Sequence, residues 1–423
     1  CGWGHGRNSL GWVLDRPPLE IGRRSLGGIG CHHEMVLFLH NRYRTTGGEE
    51  RVVEDLLGLV REQLGEQAEL LGRDSASLSR GRAAAGLLCG GLAPEDVARA
   101  VSRTGARVVH AHNLNPTLGW RSLAAARAAG ARVVLHLHQY RMVCAIGVCF
   151  TRGAECTRCH GRNTSPGVRL NCRGSLHEAA AYGASLALWQ RRLAEQADAV
   201  IVPSAFARER LRELGAPLPW ERVHVLAPPV STVAAESRAD SGEYALVVSR
   251  LAVEKGVDVA IDACRTAGVA LVIAGEGPEL GALRAQAGLT GRDEHANEGG
   301  RSGEVVPGDV RFAGHVDDAE LAALRAGASI ALVPSRSAET FGLAAAEAMA
   351  AGLPVAASRV GALPELLGEQ SLVPPGDAGA LASAIARLAG DRAAGTLGLE
   401  RVRALCAPDR VAASLASIYD ATT

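Results

Sequence analysis

The chain has 423 residues, of which 45 are lysine or arginine and 45 are aspartate or glutamate, so its formal net charge is zero. A hydrophobic fraction of 47% and a charged fraction of 21% are typical of a globular protein, and the length suffices for two domains. The neutral balance argues against a nucleic-acid partner, and no apolar run reaches the ~18 residues of a membrane-spanning helix.

The first 34 residues show neither helical nor strand periodicity. Met35 directly precedes an apolar strand, residues 36–40, so we expect residues 1–34 to be a disordered leader. The ten cysteines are irregularly spaced, unlike the framework of a small secreted protein. We therefore expect a cytoplasmic location, with at most a peripheral contact to the inner face of the membrane.

From Met35 onward, segments of strand and helix character alternate, which predicts parallel α/β sheets. The first strand ends in a polar loop that contains Gly47 and Gly48, and a helix is expected at residues 51–64. Two glycines let a backbone approach a ligand closely, although a simple turn explains them equally well.

The next strands that we predict, residues 107–112 and 132–140, both carry histidines. His110 and His112 lie two residues apart and therefore face the same side of their strand. A pair of this kind occurs in metal sites, but no third ligand is evident nearby in the sequence. We expect His112 to face a cleft instead.

Five cysteines follow: Cys144, Cys149, Cys156, Cys159 and Cys172. The spacing from Cys156 to Cys159 suits half of a zinc site. A structural zinc ion at Cys149, Cys156, Cys159 and Cys172 is one interpretation, with Cys144 as a possible replacement for Cys149. A loop of reduced thiols and a disulfide remain alternatives.

Residues 227–242 read as a linker because proline, alanine, serine and charged residues occur there without periodicity. Beyond it we predict strands at residues 245–249, 270–274, 310–312, 329–333 and 354–357, with an exposed insertion at residues 289–308. The strand at 329–333 runs through a short loop into an alanine-rich helix. Glu339 and Glu347 lie eight residues apart at this junction.

Ligands bind at the carboxyl ends of parallel strands, and the first amides of a helix bind anions. We therefore predict phosphate binding at the amides of Phe341, Gly342 and Leu343, with Glu339 on a polar ligand and Glu347 on two ribose hydroxyls. The alternative is that both acids merely favour the start of the helix. Lys255, the only lysine of the chain, follows another strand, and its compact charge suits a phosphate oxygen.

Four motifs occur in order in this half of the chain: Ser249-Arg250-Leu251 with Glu254-Lys255-Gly256, Ile273-Ala274-Gly275-Glu276-Gly277-Pro278, Val310-Arg311-Phe312-Ala313-Gly314, and Glu339 with Glu347. With these motifs the chain resembles the retaining glycosyltransferases of family four over roughly residues 35–416. The resemblance implies the GT-B fold, an α/β architecture of two Rossmann-like, doubly wound domains that face a cleft. It implies an acceptor-side domain at 35–226, the linker at 227–242, a nucleotide-sugar domain at 243–400 and a helix at 401–423 that crosses back.

The resemblance also implies roles for individual residues. Arg250 and Lys255 neutralise the diphosphate, Glu339 contacts the donor sugar, and His138 lies beside the transferred sugar, so these four are the predicted catalytic residues. The predicted nucleotide-sugar contacts are Gly47, Gly48, Arg250, Lys255, Gly275, Gly277, Gly314, Thr340, Phe341, Gly342, Leu343 and Glu347. The family often has His-Asp-Tyr where this chain has His138-Gln139-Tyr140, so no carboxylate follows the histidine here.

The function that follows is transfer of a sugar from a nucleotide-diphosphate sugar to a hydroxyl of a glycan, lipid-linked or small-molecule acceptor. We expect retention of the anomeric configuration, no catalytic metal, and a place in cell-surface polysaccharide or glycoconjugate synthesis. The alternatives are a nucleotide-sugar epimerase and a non-catalytic nucleotide-sugar-binding protein on the same fold. A Rossmann dehydrogenase is disfavoured because no Gly-x-Gly-x-x-Gly follows a first strand.

Overall fold

The computed structural model describes residues 34–43, 47–289 and 308–422. Except for their end residues, the leader expected at 1–34 and the insertion expected at 289–308 lie outside the described residues. No helix in the described ranges combines the length and the apolar composition that crossing a lipid bilayer requires.

The first half of the chain builds one parallel sheet. Its strands are β1 (Met35–Arg42), β2 (Gln67–Asp74), β3 (Val108–Ala111), β4 (Arg132–His136), β5 (Phe150–Thr151), β6 (Ala154–Glu155), β7 (Ala199–Val202) and β8 (Val223–Val225). Its helices are α1 (Gly48–Glu62), α2 (Arg80–Cys89), α3 (Glu95–Thr104), α4 (Gly119–Ala128), α5 (Ser165–Arg169), α6 (Leu176–Glu195) and α7 (Ala205–Glu213). Strands β5 and β6 form a small antiparallel hairpin, and the other six pair in the order β2-β1-β3-β4-β7-β8.

The second half builds another parallel sheet of six strands. These are β9 (Tyr244–Val248), β10 (Leu271–Ala274), β11 (Val310–Gly314), β12 (Ala328–Val333), β13 (Val355–Ser358) and β14 (Leu372–Val373). The helices are α8 (Val257–Ala267), α9 (Leu280–Gln286), α10 (Asp318–Ala326), α11 (Leu343–Ala350), α12 (Leu363–Leu366), α13 (Ala378–Leu388), α14 (Arg392–Cys406) and α15 (Pro408–Ala421). The strand order β11-β10-β9-β12-β13-β14 is that of a doubly wound sheet, so the predicted two-domain α/β fold is confirmed.

Helices cover both faces of each sheet, which is why the strands read as uninterrupted apolar runs. On one face of the first sheet, Phe38 of β1 belongs to a core that includes Leu56 of α1 and Leu415 of α15. The last helix of the chain therefore packs on the first sheet, although the residues before it belong to the second half.

Two parts of the prediction were incomplete. Residues 65–92, which show no clear pattern in the sequence, contain β2 and α2, and the second sheet ends in the two-residue strand β14. Both strands lie at sheet edges, where one side lacks a neighbouring strand and the apolar run is short. The linker is also ordered: the Ser237 hydroxyl donates to the carbonyl of Gly352 at 2.6 Å.

Gly275 is a point where the second sheet tolerates no side chain. Its φ is +137°, and a Cβ atom would lie 1.9 Å from the carbonyl oxygen of Ser249. We expect Gly275→Ala to cost about 3 kcal/mol of unfolding free energy, because both the backbone and its neighbour must move. The matched control is Gly58→Ala inside α1, where nothing lies within 4 Å of the new Cβ and a gain of up to about 1 kcal/mol is expected. Urea unfolding measures both, and equal stabilities for the two variants would contradict the prediction.

Candidate active site

The order of the second sheet reverses between β9 and β12, and a crevice opens at the carboxyl ends of such a pair. A loop with one turn of 3-10 helix, Val253–Lys255, follows β9, and the loop with Glu339 follows β12. The topology therefore brings together two residues that lie 84 positions apart in the sequence.

Lys255 and Glu339 form an ion pair at this crevice. The Lys255 ammonium donates to Glu339 Oε1 at 2.7 Å, and the Ser335 hydroxyl donates to the same oxygen at 2.6 Å. Burial opposes ionisation of Glu339, but the attraction and the hydrogen bonds of these two partners hold its pKa below the usual value. Among the described residues nothing donates to Oε2, so one carboxylate oxygen is available to a ligand.

Arg250 lies on the same loop as Lys255 and pairs with Glu254 through one guanidinium nitrogen. Its side chain is more than half exposed, so most of its five N–H donors face solvent. The loop after β10 contacts the loop after β9: the amide of Leu251 donates to the carbonyl of Glu276 at 2.8 Å. A Cβ atom on Gly277 would lie 2.2 Å from the carbonyl oxygen of Leu251.

Gly275 and Gly277 thus allow two loops to come into backbone contact. This packing role is additional to the ligand contact that the sequence predicts for them. Gly314 accepts a hydrogen bond from the amide of Gly275 at 2.7 Å. Gly275 and Gly314 are therefore linked directly, while Gly277 contacts the loop after β9.

Helix α11 begins at Leu343, directly after Gly342, whose φ of +97° turns the chain into the helix. The first amides of a helix have no partner within it and can bind an anion. Phe341 packs into the core of the second sheet. A Cβ atom on Gly48 of the first half would lie 3.2 Å from the Leu343 side chain, so these two predicted residues face each other across the domains.

Thr340 connects the two halves directly. Its hydroxyl donates to the carbonyl of His138 at 2.9 Å, and its carbonyl accepts from the hydroxyl of Ser204 at 2.6 Å. Close by, Glu365 accepts the amide of Ala205 at 3.1 Å and so caps α7 of the other domain. The structure therefore brings His138 next to the loop that holds Glu339.

Glu347 has its carboxylate between two arginines. Arg51 of the first half donates to Oε1 at 3.3 Å, and Arg325 pairs with Oε2. Its side chain is 12% exposed. Each carboxylate oxygen has a second lone pair, so ribose hydroxyls must share these oxygens with the arginines or displace them.

A carboxylate that the sequence analysis missed lies beside His138. Glu49, at the start of α1, accepts from the Tyr43 hydroxyl at 2.9 Å and from the Gln139 side chain at 3.1 Å. Arg141 in turn lies over the ring of Tyr43, 4.5 Å from its centre. A carboxylate from another element thus lies against Gln139, at the position where the family often has an acid.

A cavity of about 80 Å³ lies next to this group in the first domain. Glu49, His112 and His138 line its polar side, and Leu186, Trp120 and Trp189 line its apolar side. The two tryptophan rings are 5.8 Å apart. The cavity thus combines an apolar wall with a carboxylate and imidazoles.

The histidines behind the cavity are neutral. Burial, assisted by repulsion from His138, lowers the pKa of His110 to about 3. Burial also holds the pKa values of His112 and His136 well below the usual value. His112 Nδ1 lies 2.8 Å from His138 Nε2, so the ring of His138 is fixed through its neighbour.

The cysteines do not assemble as the zinc prediction requires. Within the described ranges, the one set of three residues whose ligand atoms approach closely enough for a metal consists of histidines. Cys159 Sγ lies 4.0 Å from the carbonyl of Thr164, and Cys172 Sγ lies 3.7 Å from the hydroxyl of Thr151. The structure thus gives no support to a zinc ion at Cys149, Cys156, Cys159 and Cys172, and the thiols are free.

Comparisons with known proteins agree with this geometry. The family model of the group 1 glycosyl transferases matches residues 242–391, and that of the glycosyl transferase 4-like domain matches residues 29–229. A phosphatidyl-myo-inositol mannosyltransferase of Mycobacterium leprae is 40% identical over 142 residues, which is 32% of this chain and 33% of the relative. A GDP-mannose-dependent alpha-(1-6)-phosphatidylinositol monomannoside mannosyltransferase of Mycobacterium tuberculosis is 32% identical over 256 residues, 53% of this chain and 62% of the relative. The chain therefore spans less than two thirds of each of these relatives.

Solved structures show the same fold at lower identity. The HepE protein of Anabaena in complex with UDP and glucose superposes with a TM-score of 0.59 at 18% identity, over 91% of this chain and 99% of that one. Sucrose-phosphate synthase of Thermosynechococcus elongatus gives a TM-score of 0.62 at 20% identity, over 92% of this chain and 98% of that one. At such identities the likeness concerns the fold alone.

The acidic side chains around Arg51 lead to a prediction of how the stability of the fold depends on pH. Burial and the nearby charge of Glu347 raise the pKa of Asp55 to about 6, although Arg51 attracts its charge. A folded-state pKa above the ordinary value means that ionised Asp55 destabilises the fold. The cost is fully present above about pH 6 and disappears as the pH falls toward the ordinary aspartate pKa of about 3.9.

We therefore expect Asp55→Asn to gain about 1 kcal/mol of unfolding free energy at about pH 7.5 and only about a third of that at about pH 4.5, with both figures reduced for the partial exposure of the site. The control is Glu54→Gln, the neighbouring exposed acid that pairs with Arg42. Denaturant unfolding at the two pH values measures the difference. A loss of stability in Asp55→Asn at the higher pH would show that its charge is needed by Arg51.

Proposed function

The chain belongs to the group 1, family-four-like glycosyltransferases, and from that premise we propose that it transfers a hexose from a nucleoside-diphosphate sugar to an acceptor hydroxyl with retention. The observation that carries the proposal is the crevice between β9 and β12. There Lys255 pairs with Glu339, Arg250 lies on the same loop as Lys255, and helix α11 begins four residues after Glu339. Three sources of positive potential around one small space suit a diphosphate.

In the proposed reaction the bond between the anomeric carbon and the diphosphate oxygen breaks, and a bond to the acceptor oxygen forms on the same face. The acceptor proton leaves with the nucleoside diphosphate. Lys255 and Arg250 stabilise the negative charge that grows on the departing oxygen, and the amides at the start of α11 contribute to the same field. Glu339 binds a sugar hydroxyl through Oε2, and His138 lies beside the transferred sugar.

We assign the donor to residues 243–400 and the acceptor to residues 35–226. Glu347 holds the ribose, while Gly47 and Gly48 lie close to the donor from the opposite side of the cleft. The ends of the two sheets enclose the reacting atoms and so limit hydrolysis of the donor. The chemistry needs no metal cofactor in this proposal, because protein cations perform the neutralisation.

The acceptor that fits best carries hydroxyls and an apolar portion. The cavity offers Glu49 for the hydroxyls and the walls of Trp120 and Trp189 for the apolar portion. Leu88 and Leu188, on the helices that border it, are 45% and 49% exposed. These features, together with the relatives named for phosphatidylinositol mannosides, support a lipid-linked acceptor in glycoconjugate synthesis. We accordingly place the enzyme in the cytoplasm with a peripheral contact to the inner membrane face.

Lys255 provides the sharpest test of the donor site. A panel of nucleoside-diphosphate hexoses, including GDP-mannose and UDP-glucose, is screened by thermal shift, because a ligand of the native state raises the melting temperature. With the donor so found, Lys255→Ala should lower kcat by about a hundredfold or more, corresponding to roughly 3 kcal/mol of transition-state stabilisation. Lys255→Arg should rescue only part of the rate, because a planar fork replaces a point charge poorly.

The matched control is Arg265→Ala, which removes an exposed cation from the last turn of α8. It should leave kcat unchanged. A normal kcat in Lys255→Ala would refute the assigned role. Release of the nucleotide without an acceptor product would favour a hydrolase, and conversion of the donor into another nucleotide-sugar without release of the nucleotide would favour an epimerase. Binding of a donor without any turnover by the wild type would favour a non-catalytic binding protein.

Glu49 generates a separate prediction for the acceptor side. Glu49→Gln keeps an oxygen that accepts from Tyr43 and Gln139 but removes the charge. Charge-assisted hydrogen bonds contribute about 1.5–3 kcal/mol, so the acceptor KM should rise roughly tenfold to a hundredfold. Donor binding should stay the same. Glu54→Gln on the exposed face of α1 serves as the control, and an equal change in both variants would exclude a specific acceptor contact.

A further inference from the structure

Five histidines lie side by side near the carboxyl end of the first sheet. His40 belongs to β1, His110 to β3 and His136 to β4. His112 follows β3, and His138 follows β4. We call His110, His112 and His136 the histidine triad. Each member of the triad is at most 3% exposed, and imidazoles are seldom grouped in this way without a function that requires it.

The spacing of the triad suits a metal ion. One ring nitrogen of each histidine lies within 4.8 Å of the corresponding nitrogens of the other two. His110 Nε2 and His136 Nδ1 are 3.2 Å apart. Zinc at about 2.1 Å from each nitrogen separates two tetrahedral ligands by about 3.4 Å, which is close to this distance.

An unpaired nitrogen points to the same conclusion. His112 Nε2 is enclosed by protein and has no hydrogen-bond partner among the described residues, and its other ring nitrogen already contacts His138. Native interiors rarely leave such atoms unpaired, and a bound ion is one of the ways in which they are satisfied.

The outer nitrogens of the triad are already oriented. The Tyr419 hydroxyl lies 2.8 Å from His110 Nδ1, and His138 Nε2 lies 2.8 Å from His112 Nδ1. Metal-binding histidines usually have partners of this kind on the nitrogen that does not face the ion, because these partners fix the tautomer and the ring plane. One partner, Tyr419, comes from α15, so the site links this helix to β3.

The donor set also selects the class of ion. Three imidazoles favour zinc and its neighbours in the transition series, whereas magnesium and calcium prefer oxygen ligands. Glu50 lies 3.7 Å from His40, which is not a member of the triad. His112 and His136 line the cavity described above, which provides a path of entry.

We propose that His110, His112 and His136 bind a divalent transition-metal ion of the zinc class, which ties β3 to β4 and fixes the position of His138. The site goes beyond the proposed glycosyl transfer, in which the ion takes no part. His136, from the neighbouring strand β4, is the third ligand that is not evident near His110 and His112 in the sequence.

The test uses the full chain without a histidine tag. Elemental analysis after purification should find about one zinc-class ion per chain. Adding Zn²⁺ back to chelator-stripped protein should raise its melting temperature. His136→Gln and His112→Gln should lose both the ion and the thermal shift. Two matched controls should keep them: His224→Gln, which changes a half-buried histidine of β8, and Cys156→Ser, which removes one candidate thiolate.

Substitution with Co²⁺ keeps the proposal testable even if a triad variant fails to fold. Wild-type protein should show the visible bands of cobalt bound by nitrogen, without the strong ultraviolet charge-transfer band that thiolate ligands produce. A thiolate band, or an ion that leaves in Cys156→Ser but stays in His136→Gln, would place the metal at the cysteines and overturn the proposal. Folded wild-type protein that retains no metal and gives no thermal shift or cobalt spectrum would overturn it as well.

Discussion

The ion pair between Lys255 and Glu339 is the interaction on which the candidate site depends. It exists because β9 and β12 are neighbours at the reversal of the strand order, so the loops that follow them meet. A half-buried pair of this kind adds little net stability, since desolvation offsets most of the attraction. Its value lies in position: each charge holds the other at 2.7 Å, so a cation is in place before any substrate arrives.

The same loop continues into the contact between the domains. One residue after Glu339, Thr340 donates to the first domain through its hydroxyl and accepts from it through its carbonyl. A change in the orientation of the domains must therefore move the backbone next to the carboxylate. Arg51 adds a second link, because it reaches Glu347 and Asp318 of the second domain from α1. A ligand that binds Glu347 must therefore share this carboxylate with an arginine of the first domain.

The sequence predicted what depends on neighbouring residues and missed what depends on tertiary contacts. Buried parallel strands produce apolar runs, so most strands and the fold class could be predicted, whereas the edge strands β2 and β14 could not. Glu339 and Lys255 stand out by their position after strands. Glu49 does not, because its relation to Gln139 spans 90 residues, and no local pattern encodes it. For the same reason His136 could not be joined to His110 before the register of β3 and β4 was known.

His138 contacts the interdomain loop, the histidine triad and the cavity. Its carbonyl accepts from Thr340, its ring nitrogen contacts His112 of the triad, and its ring lines the cavity next to Glu49. Burial lowers its pKa, so the ring is neutral near pH 7 and acts through position and hydrogen bonding rather than through charge. Substitution of His138 therefore changes both the lining of the cavity and the contact that orients the ring of His112. For this reason the proposed donor, acceptor and metal sites are tested at residues other than His138, such as Lys255, Glu49 and His136.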